Sequence, residues 1–378
     1  MAPGLRIGYD ATAAVSQRAG IGRYSRELLA ALIASEDANE YAVYYAGKRA
    51  SVPLPNLGDR ARMAPLPVSD RLANAVWQRL RLPVPIELRT GRLDLMYCPD
   101  FSLPPSLAPG IATVHDLAFE VVPQFTYPTL AAYLRLVTPR SVARSAAVVV
   151  TSHNTKRDVI RHYGADPDKI FVIPIGVSST FAPTPQPDDG EVLRRFKIGS
   201  PFILTVGTLE PRKNLARLLE AYAALPADVA GTCMVVVGRR GWMYGEIFET
   251  WRRLKLNGRV MFLEQVEDAD LAAMYRRAEI TVYASIYEGF GLPPLEAMAS
   301  GSPVACSGNS AIGEVVQSAA EIFDPWDVSD MRETIAALLQ TASRREELRR
   351  AGPARAGEFT WERVARQMLE LYRRVAHS

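Results

Sequence analysis

The sequence predicts an α/β protein with two Rossmann-like domains that face each other across a deep cleft. Short apolar runs suited to buried strands alternate with helical patterns along the chain, an order typical of parallel sheets covered by helices on both faces. The chain has 378 residues, which exceeds what one hydrophobic core usually serves. The proline-rich stretch FAPTPQPDDG, at residues 181–190, contains nothing apolar enough to be buried and suits a linker between two domains.

The first half, residues 1–180, contains the first alternating series. Its strands are predicted at residues 5–9, 41–45, 93–97, 111–114, 146–150 and 170–173. Helical patterns cover residues 22–34, 128–144 and 153–163. Ser152 stands directly before the last of these helices and is a good N-cap for it.

The second half, residues 181–357, repeats the alternation. Its strands are predicted at residues 202–206, 233–237, 260–263, 280–283 and 303–306. Its helices are predicted at residues 214–224, 244–255, 270–278 and 294–300, and a last helix at 361–375. Each half therefore contains enough strands for a parallel sheet of its own.

Composition excludes several classes of protein. Hydrophobic residues make up 48% of the chain and charged residues 22%, as in ordinary globular proteins. The net charge of +3 is too small to indicate a nucleic-acid-binding protein. Cys98, Cys233 and Cys306 lie far apart in apolar runs, which predicts buried thiols and neither a disulfide set nor a zinc site. We therefore expect a cytoplasmic protein without a signal peptide or a membrane span.

One segment differs from the rest in its charge. Residues 60–92 contain seven arginines, opposed only by Asp70 and Glu87. Apolar residues from Leu72 to Leu80 recur at helical spacing, which suits an amphipathic helix at an anionic membrane surface. A core helix with an exposed basic face explains the same pattern equally well, and the sequence leaves both interpretations open.

The stretch SIYEGFGLPPLEAMASGSPV, residues 285–304, combines the features of a ligand-binding loop. It joins a predicted strand to a predicted helix, and its glycines let the backbone turn tightly and approach a ligand. A helix start offers unpaired N–H groups and the positive end of a dipole, which suit an anion. Glu288 and Glu296 bracket the loop, and their carboxylates can accept hydrogen bonds from sugar hydroxyls. The alternatives are a helix-dipole role for Glu296 and a solvated position for Glu288.

A second stretch, VGTLEPRKN at residues 206–214, leads from the first strand of the second half into a helix. Arg212 and Lys213 then lie at the carboxyl end of a parallel strand, where open α/β sheets bind ligands. Two adjacent cations there can neutralise a diphosphate, because arginine offers a planar fork and lysine a compact charge. A solvated Arg-Lys pair in a surface loop is the alternative.

EGFGLPPLE resembles the E-x7-E signature of glycosyltransferase family 4, the retaining, nucleotide-sugar-dependent enzymes of the GT-B fold that include bacterial mannosyltransferases. The similarity extends over nearly the whole chain. It implies that Glu296 holds the donor ribose and that Glu288 lies near the transferred sugar. It also implies that Arg212 and Lys213 hold the donor pyrophosphate, and that the final helix, about residues 358–378, packs back on the first domain.

The resemblance assigns further roles in the first half. AGIGRY is similar to the family's glycine loop, which implies that Gly20 and Gly22 face the donor phosphates or the acceptor and that Arg23 binds the acceptor. TVHD places His115 directly after a strand, and the family's histidine in this segment contacts the transferred sugar. Asp116 is expected to orient the imidazole or to bind the acceptor. A structural histidine and a helix-face arginine are the alternatives.

The implied residues fall into two groups. The catalytic group is His115, Glu288, Arg212 and Lys213. The donor-binding positions in the second half are Gly207, Arg212, Lys213, Gly238, Arg239, Val266, Glu288, Gly289, Phe290, Gly291, Leu292 and Glu296.

These features predict a metal-independent, retaining glycosyltransferase that moves a hexose, with mannose from GDP-mannose favoured, to a saccharide or lipid-linked saccharide. No cofactor or metal is expected, because Arg212, Lys213 and the helix start supply positive charge. The DPD and DAD triplets at residues 166–168 and 268–270 do not follow an active-site strand. Peripheral contact with the inner membrane face belongs to the membrane interpretation of residues 60–92. The alternatives are a nucleotide-sugar epimerase or phosphorylase on the same fold, and a non-catalytic sugar-nucleotide-binding protein.

Overall fold

The computed structural model describes residues 4–18, 20–47 and 50–377. The chain divides into two compact units. The first comprises the residues up to Pro123, Pro128–Gly176 and the residues from Thr360 onward, and the second comprises Gln124–Tyr127 and Val177–Phe359. The corresponding boundaries predicted from the sequence lie after residues 180 and 357.

The first unit contains a parallel sheet of seven strands with the order β3-β2-β1-β4-β5-β6-β7. The strands are β1 Arg6–Asp10, β2 Glu40–Tyr44, β3 Ala61–Met63, β4 Leu95–Cys98, β5 Gly110–Val114, β6 Ala147–Val150 and β7 Ile170–Val172. The central strands β4, β5 and β6 are buried along their whole length, as expected for strands covered on both faces.

The helices of the first unit cover this sheet. They are α1 Thr12–Ser16, α2 Ile21–Ala34, α3 Asp70–Asn74, α4 Glu87–Thr90, α5 Ala118–Val121, α6 Pro128–Arg144 and α7 His153–Tyr163. A π-helical turn, Ala75–Arg79, continues α3. The side chain of Ser152 accepts a hydrogen bond from the Thr155 N–H, so the predicted N-cap of α7 is confirmed.

The second unit contains a parallel sheet of six strands with the order β10-β9-β8-β11-β12-β13. The strands are β8 Phe202–Val206, β9 Cys233–Val237, β10 Val260–Leu263, β11 Ile280–Tyr283, β12 Val304–Ser307 and β13 Glu321–Phe323. Its helices are α8 Asp189–Arg195, α9 Leu215–Ala223, α10 Gly245–Arg253, α11 Asp268–Arg277, α12 Leu292–Ala299, α13 Ile312–Val316, α14 Val328–Gln340 and α15 Ala342–Ala356. The predicted class, α/β with two Rossmann-like parallel sheets, is confirmed.

Strand order reverses once in each sheet. In the first unit the chain runs outward from β1 to β2 and β3 and later returns to place β4 on the other side of β1. In the second unit the reversal falls between β8 and β11. Ligands of open α/β sheets bind at the carboxyl ends of the strands beside such a reversal. Each sheet therefore has one favoured location for a binding site.

The last helix, α16 Trp361–Ala376, belongs to the first unit. The Trp361 ring lies 5.8 Å from the Tyr24 ring of α2, and the Tyr372 ring lies 5.5 Å from the Tyr97 ring of β4. The helix therefore packs on α2 and on the middle of the first sheet.

Three expectations from the sequence are wrong in detail. Residues 181–190 do contain buried groups, because Phe181 is 3% exposed and packs edge-on against Tyr275, and Asp189 forms a buried ion pair with Arg276. Cys233 is half-buried, whereas the other two thiols are buried as predicted. The edge strands β3 and β13 were missed, since each has a charged residue among its three positions and no continuous apolar run.

The arginine-rich segment forms an exposed surface of alternating charge and apolarity, here called the basic-apolar surface. Leu72 and Leu80 are 51% and 65% exposed and do not enter the core. The Trp77 side chain is half-buried and packs against the core. In the part of the chain that the structure describes, the exposed arginines of this surface form no ion pair. The surface comprises Arg62, Met63, Arg71, Leu72, Arg79, Leu80, Arg81, Leu82, Val84, Leu88, Arg89 and Arg92.

Replacing Gly176 with alanine tests the docking of α16. A Cβ at Gly176 would lie 2.7 Å from the Trp361 ring and 2.8 Å from the Trp361 backbone nitrogen, so the helix must shift. We expect Gly176→Ala to lower the melting temperature by roughly 5 °C, which corresponds to an overpacking cost of about 2 kcal/mol. Gly231→Ala is the matched control, because a Cβ there meets nothing within 4 Å. Equal melting temperatures for both variants would contradict the packing described here.

Candidate active site

The candidate site of the second unit lies at the carboxyl ends of β8 and β11, beside the reversal of strand order. Pro211–Lys213 form a single 3-10 turn after β8, and Asn214 then adopts a left-handed conformation that asparagine tolerates. The Asn214 side chain donates a 2.7 Å hydrogen bond to the Pro325 carbonyl. This turn sets the direction in which Arg212 and Lys213 project.

Glu288 is the centre of the site, and both of its carboxylate oxygens are bonded. Oε1 accepts hydrogen bonds from Lys213 Nζ at 2.6 Å, from the Tyr283 hydroxyl at 2.9 Å and from Ser285 Oγ at 2.5 Å. Oε2 lies 2.9 Å from Arg212 Nη1 in an ion pair. The residue is 8% exposed. A solvated position for Glu288 is therefore excluded.

Arg212 is held by acceptors on two loops. Its Nη1 donates to the Tyr287 carbonyl at 2.7 Å, and its Nη2 pairs with Glu210 Oε1 at 2.9 Å. Glu210 is 2% exposed. A solvated Arg-Lys pair is excluded as well, since the Arg212 and Lys213 side chains are only 14% and 17% exposed.

Backbone hydrogen bonds lock the two loops together. The Arg212 carbonyl accepts a hydrogen bond from the Ile286 N–H at 2.9 Å. On the other side, the Glu288 N–H donates to Ser310 Oγ at 3.0 Å. The geometry of the charged side chains is thus supported by main-chain contacts.

The two cations change the acidity of Glu288. Burial raises the pKa of this carboxyl, but Arg212 and Lys213 together with the hydrogen bonds from Lys213 and Ser285 outweigh burial and bring the pKa to about 2. Glu288 therefore stays ionised at every pH at which the protein is expected to work. Burial, and then the Glu288 charge, raise the pKa of Tyr283 well above its usual value, so its hydroxyl stays protonated and donates.

The loop after β11 is buried, and its helix offers fewer donors than the sequence analysis expects. Gly291 adopts φ of +110° and no side chain caps α12. The first three residues of α12 are Leu292, Pro293 and Pro294, and proline has no N–H. Of the four amides that a helix start leaves without intrahelical partners, Gly291 and Leu292 therefore supply the two that have an N–H. Anion binding here depends on the loop amides more than on the helix.

The other predicted residues around this loop are placed as follows. Phe290 packs edge-on against Phe359, with ring centroids 5.7 Å apart. Glu296 lies in the second turn of α12 and is 3% exposed. Gly289 is buried beside them. Burial of a carboxylate requires bonded partners, which is consistent with a binding or a structural role for Glu296.

Gly207 and Gly238 contact each other where β8 and β9 end. A Cβ at Gly238 would lie 1.9 Å from the Gly207 carbonyl oxygen, so this position needs glycine for packing. Packing within the protein therefore explains a glycine here, and its expected contact with the donor stays a prediction. Arg239 is exposed and Val266 half-buried in the adjacent loops. All four positions follow the carboxyl ends of β8, β9 or β10.

His115 follows β5 at the carboxyl edge of the first sheet. Its Nε2 lies 2.8 Å from the Pro99 carbonyl, and since a carbonyl oxygen only accepts, Nε2 carries the proton. Burial lowers the pKa of His115, which keeps the ring neutral and leaves Nδ1 as an acceptor. The Tyr24 ring packs edge-on at 4.7 Å, and it fixes the imidazole plane.

The remaining predicted residues of the first unit have mainly local contacts. Asp116 Oδ1 accepts a 2.9 Å hydrogen bond from the Ala118 N–H, so Pro99 rather than Asp116 is the bonded partner of the imidazole. A Cβ at Gly22 would lie 2.2 Å from the Gln17 carbonyl oxygen, which gives this glycine a packing role between α1 and α2. Gly20 has φ of +59° and open space around it.

The glycine loop and the start of α2 contain two further predicted positions. Arg23 is half-buried on α2 and has interactions within the protein. Ala19, which begins the predicted glycine loop, lies outside the described residues. Among the predicted charged residues, Arg212 and Lys213 each form an ion pair with Glu288.

Sequence reasoning missed Glu210, Tyr283 and Ser285, which hold the charged residues in place. Glu210 stands two residues before Arg212, and a carboxylate beside an expected phosphate site could have been recognised as a partner for the arginine. Tyr283 and Ser285 carried no separate signal, because a tyrosine ending an apolar strand reads as core.

The described residues contain neither a metal-binding cluster nor a membrane-spanning helix. Over residues 4–18, 20–47 and 50–377, no group of three or more His, Cys, Asp or Glu side chains has an arrangement that could hold a metal ion. Asp166 caps a 3-10 turn, and Asp268 and Asp270 lie in the first turn of α11 after its N-cap Glu267. Within the same ranges no helix is both long and apolar enough to cross a bilayer.

Two family models match the chain in succession. The model described as Glycosyltransferase Family 4 matches residues 18–181, and the model described as Glycosyl transferases group 1 matches residues 194–355. O-antigen chain mannosyltransferase B of Escherichia coli is 30% identical over 373 residues, covering 94% of this chain and 96% of that protein. This chain belongs to glycosyltransferase family 4. It is a glycosyltransferase, as the loop signature implied.

Other relatives extend this assignment. The glycosyltransferase is 28% identical over 242 residues to the serotype-specific mannosyltransferase WbdA of Escherichia coli, and the match covers 62% of this chain but 29% of that longer protein. Sucrose-phosphate synthase of Thermosynechococcus elongatus superposes with a TM-score of 0.78 at 20% identity, covering 99% and 100% of the two chains. Anabaena Alr3699/HepE in complex with UDP and glucose gives 0.71 at 18% identity, covering 97% and 99%. These structures show that the glycosyltransferase has the GT-B fold.

Replacing Glu288 with glutamine tests the charge cluster through acid stability. The pKa of Glu288 is about 2 in the folded protein, below the ordinary value of 4.5. Its contribution to stability is therefore complete above pH 4.5 and is lost as the pH falls toward 2, by roughly 3 kcal/mol at most. Glu288→Gln should lower the melting temperature at pH 7 and flatten its fall between pH 4.5 and 3.

The control for this measurement is Glu264→Gln. Glu264 forms an exposed ion pair with Arg240 in the same unit, and an exposed pair contributes little. Melting should be followed by calorimetry at several pH values. An identical pH profile for Glu288→Gln and the wild type would contradict the described cluster.

Proposed function

We propose that this glycosyltransferase transfers mannose from GDP-mannose to a saccharide or lipid-linked saccharide with retention of anomeric configuration and without a metal ion. The relative matched over nearly the full length of both chains is named a mannosyltransferase, and so is the second relative described above. The observation that carries the chemistry is the buried contact of Arg212 and Lys213 with Glu288, at the site that open α/β sheets use for ligands.

In this proposal Lys213 supplies charge to the leaving diphosphate. An ammonium group has three N–H donors, and the described contacts use two of them, to Glu288 and to the Tyr283 hydroxyl. The third is available for a phosphate oxygen. Negative charge grows on the diphosphate as the anomeric C–O bond breaks, and preorganised donors at that position lower the barrier. Fixed side chains thus do the work that a metal ion does in other enzymes.

The bonding of Glu288 supports a same-face mechanism. A double displacement needs a carboxylate nucleophile, but both oxygens of Glu288 are engaged by cations and hydroxyl groups. Its low pKa also makes it a weak base. We therefore propose that the departing phosphate assists attack by the acceptor on the same face of the sugar, which gives retention.

On the first unit, we assign His115 to sugar recognition. With Nε2 donating to the Pro99 carbonyl, the neutral ring presents Nδ1 as an acceptor for a sugar hydroxyl. Arg23 and Asp116 remain proposed contacts of the acceptor. Gly20, Gly207, Arg239, Val266 and Glu296 remain proposed contacts of the donor, with the loop from Gly289 to Leu292.

A lipid-linked acceptor requires an enzyme that works at a membrane. We propose that the basic-apolar surface binds the cytoplasmic face of an anionic membrane peripherally. Exposed leucines such as Leu80 and Leu82 can enter the headgroup region, and the unpaired arginines beside them attract anionic lipids. Arginines elsewhere in the chain, such as Arg195 and Arg276, pair with carboxylates instead.

Replacing Lys213 with alanine tests the proposed reaction. With GDP-mannose and a saccharide acceptor, we expect turnover to fall by about 100-fold or more, because a donor to the leaving group is lost. Retention is checked by following the anomeric proton of the product by NMR, and parallel assays use UDP-sugars. Arg194→Ala, which removes an exposed cation of the same unit, should keep normal turnover. Near-normal turnover of Lys213→Ala would exclude the phosphate role, and exclusive use of a UDP-sugar would exclude GDP-mannose.

The membrane proposal is tested by vesicle flotation. The combined variant Arg79→Gln, Leu80→Ser, Arg81→Gln, Leu82→Ser should lose binding to vesicles that contain anionic lipid, and the wild type should bind them less at high salt. Ile322→Ser is the control, since Ile322 is an exposed apolar side chain of the second unit. Equal flotation of wild type and combined variant would exclude this surface as the contact.

A further inference from the structure

Arg212 is bonded to two carboxylates, and only one of them belongs to the family signature. Glu288 lies against Nη1 and Glu210 against Nη2, each at 2.9 Å. Glu210 is almost completely buried. The reaction proposed above gives Glu210 no role.

A hydrogen-bond acceptor for Nη2 does not need to be charged. The Tyr287 carbonyl already satisfies Nη1 at 2.7 Å as a neutral acceptor, and a carbonyl or amide oxygen would serve Nη2 in the same way. Burying a carboxylate costs free energy that a neutral acceptor would not cost. The presence of Glu210 therefore indicates a role for its negative charge. With Glu210 present, the side chains of Arg212, Lys213, Glu210 and Glu288 sum to zero charge. Without it, they would sum to one positive charge.

This charge affects substrate and product differently. A donor carries two phosphates that are both esterified, whereas the released nucleoside diphosphate has a terminal phosphate with a second ionisation near neutral pH. The product is therefore about one charge more negative than the donor. An extra positive charge in the site would tighten binding of the product more than binding of the donor.

We propose that Glu210 is a positioning residue that acts through Arg212: it holds the guanidinium and balances its charge, so that the site releases the nucleoside diphosphate product after transfer. This inference rests on the proposed donor site. Arg212 stays oriented toward the leaving diphosphate, and the balanced cluster keeps the affinity for product close to that for donor. Product release then does not limit turnover.

The test measures dissociation constants of GDP and GDP-mannose by calorimetry and takes their ratio. Glu210→Gln keeps an acceptor oxygen for Nη2 and removes the charge, so the ratio of GDP to GDP-mannose dissociation constants should fall about tenfold. Inhibition of turnover by added GDP should strengthen in parallel. Glu210→Asp keeps the charge and should keep the wild-type ratio.

A second series of variants tests the same charge balance even if the single variant Glu210→Gln fails to fold. Lys213→Gln makes the cluster negative and should raise the ratio, and adding Glu210→Gln to it restores zero charge and should restore the ratio. Glu220→Gln removes a carboxylate from an exposed pair with Arg253 in the same unit and should leave the ratio unchanged. Melting temperatures confirm that each variant is folded.

The outcomes separate this inference from the proposed function. An unchanged ratio in Glu210→Gln, or the same change in Glu210→Asp, overturns charge balance, since the second result would show that only side-chain length matters. Failure of the wild type to bind either GDP or GDP-mannose overturns the proposed donor instead. A ratio that follows the net charge of the cluster across the series supports the role of Glu210.

Discussion

The ion cluster around Glu288 is the interaction on which the second unit's site depends. It joins the turn after β8 to the loop after β11, the two strands between which strand order reverses. The attraction between buried opposite charges offsets their desolvation only when hydrogen bonds also satisfy their remaining donors and acceptors. Tyr283 and Ser285 meet that condition for the carboxylate, and the Tyr287 carbonyl meets it for Arg212. The charged side chains, the hydroxyl groups and the main-chain carbonyl therefore form one hydrogen-bonded network. A change in any of these groups alters the positions of the others.

The class of fold was predictable from the sequence because its signal is repeated. Eleven apolar strands separated by helical patterns were recognised, and only the three-residue edge strands β3 and β13 were missed. Residues 181–190 show the limit of such reasoning. Their prolines are typical of a linker, yet Phe181 and Asp189 are buried through partners on α11 that lie about 90 residues later in the sequence. Composition of a local segment does not contain that information.

The candidate site, like the fold, was predictable from the sequence only in part. Charged residues at strand ends could be identified, since the carboxyl edge of a parallel sheet is a general location for ligands. The contacts that each of these residues forms could not be identified from the sequence. Gly22 and Gly238 were predicted to face a ligand, and the structure adds that a neighbouring carbonyl group of the protein itself also requires glycine at each position. Glu288 was expected to meet sugar hydroxyls, and its contacts with Arg212 and Lys213 could not be read from the sequence. Hydrogen-bond partners come from distant segments, and a single sequence does not report them.

The two consecutive prolines at the start of α12 have a consequence for how a ligand is bound. Pro293 and Pro294 restrict two successive φ angles near the helical value, so the chain has fewer conformations at this point even before folding. A loop whose shape is already set loses little conformational entropy when a ligand arrives. The start of α12 thus gives up two helical amide donors and gains rigidity at Pro293 and Pro294, so that a ligand held there would meet a helix start whose backbone is already ordered.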